Sequence, residues 1–358
     1  MTSQDIAQYR LYHQQIATTQ FKKPGQVVSW LGGMQAQDYA GVKWSIGLRL
    51  PDATDTEIEQ AIAAKTIVRT WPMRGTLHFV APEDVRWMLA LLTPRIIAQT
   101  AGRYRQLELD EVIFARSKEL FAQALQGDKQ LTRDEMLQLL EQANISTAGQ
   151  RGYHILCRSA QDGLICFGPP SGKQQTFTLL DEWIPQAKSL ARDEAIAELT
   201  RRYFMSHGPA TLRDFAWWSG LTITDVRAGL ELVKSQLIQE AVNGQTYWMS
   251  PDTPTLKHNL STAYLLPGFD EYLLGYTDRS DSLDPAYAKQ VCPGGNGVFF
   301  PTIVINGRVV GTWKRTFKKD AIAIASNPFN GLSEAEVQAF AAAAERYGAF
   351  MDMPVATL

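Results

Sequence analysis

The chain has 358 residues, 45% of them hydrophobic and 20% charged, with an ordinary 17 Pro and 26 Gly, which excludes collagen-like and largely disordered chains and suggests two to three domains. Apolar runs such as Trp87-Met88-Leu89-Ala90-Leu91-Leu92 fall far short of the roughly 18 residues of a membrane span, and Met1-Thr2-Ser3-Gln4-Asp5 has no leader pattern, so a cytoplasmic protein with no membrane partner is expected. The formal net charge is -2, so a nucleic-acid partner requires basic residues gathered on one surface.

The first half reads as helix. Asp5 to Thr18 carries a loose apolar face, and Pro24 opens a second helix stopped by Gly32-Gly33. Trp44 to Leu50 reads as a third. Thr54-x-x-Glu57 is a capping box for a helix to Ala64, and Ile67 to Thr70 with Thr76 to Val80 alternate as strands around Trp71-Pro72-Met73-Arg74-Gly75. Helices followed by a hairpin describe a winged helix. The order recurs: helices from Asp110 to Leu125, from the Thr132-x-x-Glu135 box, and from Thr147 to Asp162, then a hairpin of Leu164 to Phe167 with Gln175 to Leu180. It recurs again from Asp193 to Ser206, from Thr211 to Gly220 and from Thr222 to Lys234, with strands around Asn243-Gly244. Past Pro251 the texture becomes strand and turn, with a second Asn-Gly hairpin at Asn306-Gly307 and an Ala-rich closing helix from Glu334 to Tyr347.

The expected fold is therefore α+β and mainly helical, with three tandem winged-helix units and a C-terminal β-rich module. The expected boundaries are 1–100, 101–185, 186–250 and 251–358.

No Walker loop, GxSxG, HExxH or Rossmann fingerprint is present in the sequence. The histidines His13, His78, His154, His207 and His258 have no close ligand spacing, and Cys157, Cys166 and Cys292 form no CxxC, so no metal and no cofactor is expected. The remaining candidate is Met34-Gln35-Ala36-Gln37-Asp38, directly after the glycine stop. Glutamines at i and i+2 of an extended segment project to one side. Their carboxamides accept and donate at once, and so can orient a water or a sugar hydroxyl. The same spacing also suits a polar loop whose glutamines bond to backbone.

Five blocks carry a resemblance: Gly33 to Asp38; Thr70 to His78; His207-Gly208-Pro209-Ala210-Thr211-Leu212 running on through Trp217-Trp218 to Leu221; Leu266-Pro267-Gly268-Phe269-Asp270-Glu271-Tyr272 running on to Ser280; and Asn306 to Arg315. In this order they resemble the winged-helix DNA glycosylases of the AlkZ/YcaQ-like, azinomycin-resistance type, and they span nearly the whole chain. The resemblance implies a C-shaped array of winged helices holding damaged double-stranded DNA, with a glutamine–apolar–glutamine motif that helps hydrolyse the N-glycosidic bond of alkylated, chiefly N7-modified, purines, including interstrand crosslinks. Gln35 and Gln37 match that motif as its catalytic residues. A YcaQ-like chain is similar but carries a carboxylate where Gln37 stands, so this chain sides with the AlkZ-like branch. A monomer without a Schiff-base amine is expected.

Arg74 and His78, on the first expected wing, can hold phosphate or a flipped base; alternatively Arg74 pins the turn and His78 is a satisfied, partly buried histidine. Trp44 and Trp71 suit base stacking or core, and Trp217-Trp218 suit packing. Asp270 and Tyr272 belong to a polar cluster with Glu271, Asp278 and Arg279 that either assists the glutamines or forms a solvated acidic turn. Arg308, Lys314, Arg315, Lys318 and Lys319 fall in a stretch with no acid, a local charge of +5, on a hairpin with Trp313. They are the first choice for phosphate contact, with Lys43, Lys22, Lys23, Arg103 and Arg105 as further contributors. A non-enzymatic winged-helix DNA-binding or regulatory protein is the alternative reading, and a scaffold with no DNA role a third.

Overall fold

The structure is a computed structural model that describes residues 1–253, 262–295 and 297–356. His258 lies outside them. The chain is α+β and divides into two compact units, one formed by Met1–Ile58 with Ile196–Leu358 and the other by Glu59–Ala195. The units cut across the four segments expected in chain order. Among the described residues no helix is long and apolar enough to cross a membrane.

In the first unit, helix Ser3–His13 starts on a capping box made by Thr2 and Asp5 and stops short of Thr18. Helix Pro24–Leu31 ends at Gly32, whose φ of 74° lets the chain reverse without a Cβ penalty. The extended pair Met34–Gln35 follows, and Asp38 accepts from the Gly41 N–H to open helix Tyr39–Gly47. This helix begins five residues before the expected Trp44, because the aspartate supplies an N-cap. Helices Leu212–Ser219 and Ile223–Val233 lead into the hairpin Ile238–Val242/Gln245–Met249. Its Asn243-Gly244 turn has φ of 51° and 77°, as a two-residue hairpin turn requires.

The C-terminal part of this unit is a five-stranded sheet. In spatial order its strands are Val355–Ala356, Ile322–Pro328, Arg308–Phe317, Thr302–Ile305 and Ala263–Leu266. Only the Ile322–Pro328/Val355–Ala356 pair is parallel. Before Asn306-Gly307 only Thr302–Ile305 of the apolar run Val298 to Ile305 is strand, and the strand after the turn runs on to Phe317. The closing helix Glu334–Phe350 packs with Tyr347 and Phe350 against Trp44, at ring distances of 5.0 and 5.1 Å.

In the second unit the strands Thr76–Val80, Val68–Met73, Ile165–Phe167, Thr176–Leu179 and Leu131–Thr132 lie side by side in that order. The first two expected wings are thus one sheet, joined where Arg69 pairs with Phe167. Trp71, Phe167 and Phe177 fill its core with Phe114, Phe121 and Leu140, so Trp71 serves packing. The longest helix, Val85–Gln106, contains Pro94 and lacks a side-chain N-cap, and therefore gave no start signal. Beside the proline the Thr93 hydroxyl donates back to the Leu89 carbonyl at 2.8 Å, a contact that goes with helix bending.

One buried group of the first unit gives a pH prediction. His13 bonds through Nε2 to the Thr253 hydroxyl at 3.0 Å, and burial lowers its pKa from 6.5 to about 4. The unfolded chain therefore takes up this proton before the folded one does, so the contribution is full above pH 6.5 and is lost as pH falls to about 4. It is worth about 3 kcal/mol at most. Urea titrations at pH 7 and pH 4.5 should show a smaller loss of stability in His13→Gln than in the parent; equal losses would remove His13 as the cause.

Candidate active site

The motif is held by local signals on both sides, the left-handed Gly32 before it and the Asp38 cap after it. Between them the chain is extended only over Met34–Gln35 and bends from Gln37. Met34 and Ala36 are fully packed, Gln35 is 9% exposed and Gln37 is exposed. The two carboxamides thus differ in burial, because the bend toward the Asp38 cap ends the strand alternation between them.

Gln35 is fixed through its backbone. Its N–H donates to Glu271 Oε1 at 3.2 Å, while the other oxygen of that carboxylate accepts from Trp218 Nε1 at 2.8 Å. His207 Nε2 lies 3.6 Å from the same oxygen. Glu271 is 1% exposed. Burial lowers the His207 pKa, against the pull of Glu271, so the imidazole is neutral near pH 7 and its Nδ1 lies 2.8 Å from Ser206 Oγ. The ring stacks on Tyr203 at 4.8 Å. Gln35 Oε1 is buried and has no hydrogen-bond partner among the described residues. A carboxamide oxygen in that state has both lone pairs unused by protein donors.

Asp270, one residue earlier, does different work. Its two oxygens receive Arg49 Nη1 and Nη2 at 2.8 and 2.9 Å, and it also accepts from Ser45 Oγ at 2.6 Å and the Tyr272 N–H at 2.9 Å. Burial works to raise its pKa, but the Arg49 charge and these hydrogen bonds hold it below the usual carboxylate range. Tyr272 is buried too, and its hydroxyl donates to the Gly307 carbonyl at 2.6 Å. Asp270 and Tyr272 are therefore interior anchors of the Leu266–Ser280 segment. The carboxylate that meets the motif is Glu271, which the sequence marked only as a member of an acidic cluster. Trp218 and His207 join it from helices that packing alone brings there.

The tryptophans expected at DNA are corrected by burial. Trp44 and Trp313 are each 1% exposed and donate from Nε1 to the carbonyls of Leu265 and Leu266, so neither face is available to a base. Lys43 is also buried, and its ammonium is paired with Asp55 at 2.8 Å, which makes it a poor phosphate contact. Lys314, Lys318 and Lys319 are exposed on strand Arg308–Phe317 and its turn. Arg315 is half-buried over the Tyr347 ring, and exposed Arg308 donates to the Ser280 carbonyl at 3.0 Å.

Arg74 and His78 belong to the second unit. Arg74 and Gly75, with φ of 53° and 71°, make the two-residue turn between paired Met73 and Thr76. His78 Nδ1 lies 2.9 Å from the Thr76 carbonyl and so carries the proton; its Nε2 faces Arg74 Nη2 at 3.4 Å. The two side chains are thus brought together at the hairpin end.

The sequence matches the family described as DNA glycosylase AlkZ-like over residues 28–350. An interstrand DNA cross-link repair glycosylase of Streptomyces sahachiroi is 28% identical, over 80% of this chain and 81% of that protein. The solved structure of Streptomyces sahachiroi DNA glycosylase AlkZ has the same fold, with a TM-score of 0.83 over 100% of both chains at 24% identity.

Proposed function

The chain belongs to the AlkZ-like DNA glycosylase family, and from that premise we propose that it is a repair glycosylase that hydrolyses the N-glycosidic bond of N7-alkylated purines in double-stranded DNA. The observation that carries this reading is the buried, unpartnered Gln35 Oε1 on a peptide tied to Glu271. An N7-alkylated purine is already cationic. The C1′–N9 bond breaks with its electron pair passing into the purine, which leaves neutral, and the charge moves to the sugar as an oxocarbenium ion. Water then bonds to C1′ and passes a proton to bulk solvent, since a carboxamide is too weak a base to take it. The protein need only orient the water and stabilise the cation, which carboxamide oxygens do with less desolvation than a carboxylate. Gln35 and Gln37 take these two tasks. Water as the nucleophile makes the enzyme monofunctional, with no Schiff base.

Arg308, Lys314, Arg315, Lys318 and Lys319 are proposed to contact phosphate, and Arg74 with His78 to support the substrate. The tandem winged-helix organisation belongs to the same proposal, supported by the helix–helix–hairpin order of Leu212–Met249. The relative's name extends the reading to unhooking of interstrand crosslinks.

Incubation with a duplex containing one N7-methylguanine should release the base, and Gln35→Ala or Gln37→Ala should lower the single-turnover rate at least tenfold with duplex affinity nearly unchanged. Equal rates in the double variant would remove the glutamines from the mechanism. Tight duplex binding with no release from any alkylated substrate would instead favour a non-enzymatic DNA-binding protein.

A further inference from the structure

A second concave site lies within the first unit, built from residues that the glycosylase reading does not use. It is a cavity of about 660 Å³ lined by Trp217, Arg279, Lys289, Phe299 and Asp278, among others. Trp217 is 46% exposed, although its Nε1 is anchored to the Leu274 carbonyl at 3.3 Å. The indole is thus held in place with much of its ring toward solvent. An indole anchored in this way presents a fixed, flat apolar face on which a planar ligand can stack.

Arg279 lines the cavity and approaches two of its aromatic rings. Its guanidinium lies 4.9 Å from the Phe299 ring centre and 5.9 Å from that of Trp217. Nε donates to the Leu273 carbonyl at 2.7 Å and Nη1 to the Thr277 carbonyl at 3.3 Å. These bonds fix the plane of the fork and leave Nη2 with no hydrogen bond to the described residues. Lys289, exposed on the short helix Ala288–Val291, adds a second cation to the same cavity. Asp278 is the opposing charge, and its carboxylate is engaged by the Ser280 N–H at 2.9 Å. Two cations against one carboxylate leave the wall positive.

We propose that this cavity binds a nucleotide, with the base stacked on Trp217 and the phosphate taken by Arg279 and Lys289. An exposed indole accepts any base face, and a guanidinium with a free N–H beside an ammonium suits a phosphate monoester or diester. The nucleotide is either free or one unit of a single strand; the chemistry is shared, and the two sources separate by experiment. Neither Gln35 nor Gln37 lines this cavity.

Equilibrium dialysis of the full chain with labelled dAMP, and in parallel with a labelled tetradeoxyadenylate, tests this. The expected result is saturable dAMP binding, weaker for deoxyadenosine, with affinity reduced at least tenfold in Trp217→Ala, several-fold in Lys289→Ala, and retained in Trp217→Phe and in the Gln35→Ala/Gln37→Ala variant. Binding of the tetranucleotide but not dAMP, with the same losses, assigns the site to a strand. No binding of either probe, or affinities unchanged in Lys289→Ala and Trp217→Ala, overturns the proposal. Should Trp217→Ala fail to fold, Lys289→Ala and the comparison of dAMP with deoxyadenosine decide it.

Discussion

Arg49→Met should destabilise the protein by about 3–5 kcal/mol, the cost of leaving a buried carboxylate without its counter-charge. Arg49 is fully buried. Besides both Asp270 oxygens, its guanidinium donates to the Gln14 carbonyl at 2.8 Å, to Gln14 Oε1 at 3.1 Å, and to the carbonyl and hydroxyl of Ser45 at 2.9 and 2.8 Å. Methionine fills much of the volume but supplies none of these donors, so the carboxylate of Asp270 must protonate or admit water. Asp270→Asn in the same background removes the buried charge and should recover part of the loss. A double-mutant cycle in urea would then show a coupling of about 2 kcal/mol or more. A loss under about 1 kcal/mol in Arg49→Met would show that the pair adds little beyond filling space. The pH dependence has a fixed sign: with a folded pKa below 3.8, the Asp270 contribution is full above that pH and is lost as pH falls through the lower folded value.

Glu271→Gln should lower base release by about 10- to 100-fold, the scale of a motif displaced by an ångström or less, while duplex affinity changes less than about threefold by the same reasoning. Two N–H groups, one from the Gln35 backbone and one from the Trp218 indole, converge on this carboxylate. A carboxamide offers a single acceptor oxygen, so one of the two N–H groups faces an NH2. The side chain must then rotate or the Gln35 peptide must move. Because Glu271 touches the motif backbone and not the substrate, it is a positioning residue, and its signature is a fall in the chemical rate without a matching loss of binding. A parallel fall in affinity, or an unchanged rate, would remove it from that role. Glu271→Ala is a harsher test of the same idea, since it leaves both donors without that acceptor in the interior, at about 1–3 kcal/mol for each unsatisfied group.

Elements with local signals were legible in the sequence. The Thr132/Glu135 and Thr211/Asp214 capping boxes open helices at the expected residues. Asn243-Gly244 and Asn306-Gly307 turn hairpins, because their backbone conformation is demanded within two residues. Helix Val85–Gln106 was not legible, since its start has no side-chain cap and Pro94 interrupts its pattern. Nor was the union of two hairpins in one sheet: strand alternation specifies a face but names no partner.

The sequence by itself determined the family, through five ordered blocks, and determined that Gln35 and Gln37 follow a glycine stop, while the Asp38 cap after them emerged only in the structure. Only the tertiary structure decided which charges reach them. Asp270 and Glu271 are adjacent acids of similar chemistry, yet one is consumed by Arg49 and the other holds Gln35, 236 residues away in sequence. Trp44 and Trp313, plausible base-stacking residues by type, are interior because the closing helix packs Tyr347 against both. Local propensity acts over a few residues, whereas burial and ion pairing depend on which distant surfaces meet, and that is a property of the folded packing alone.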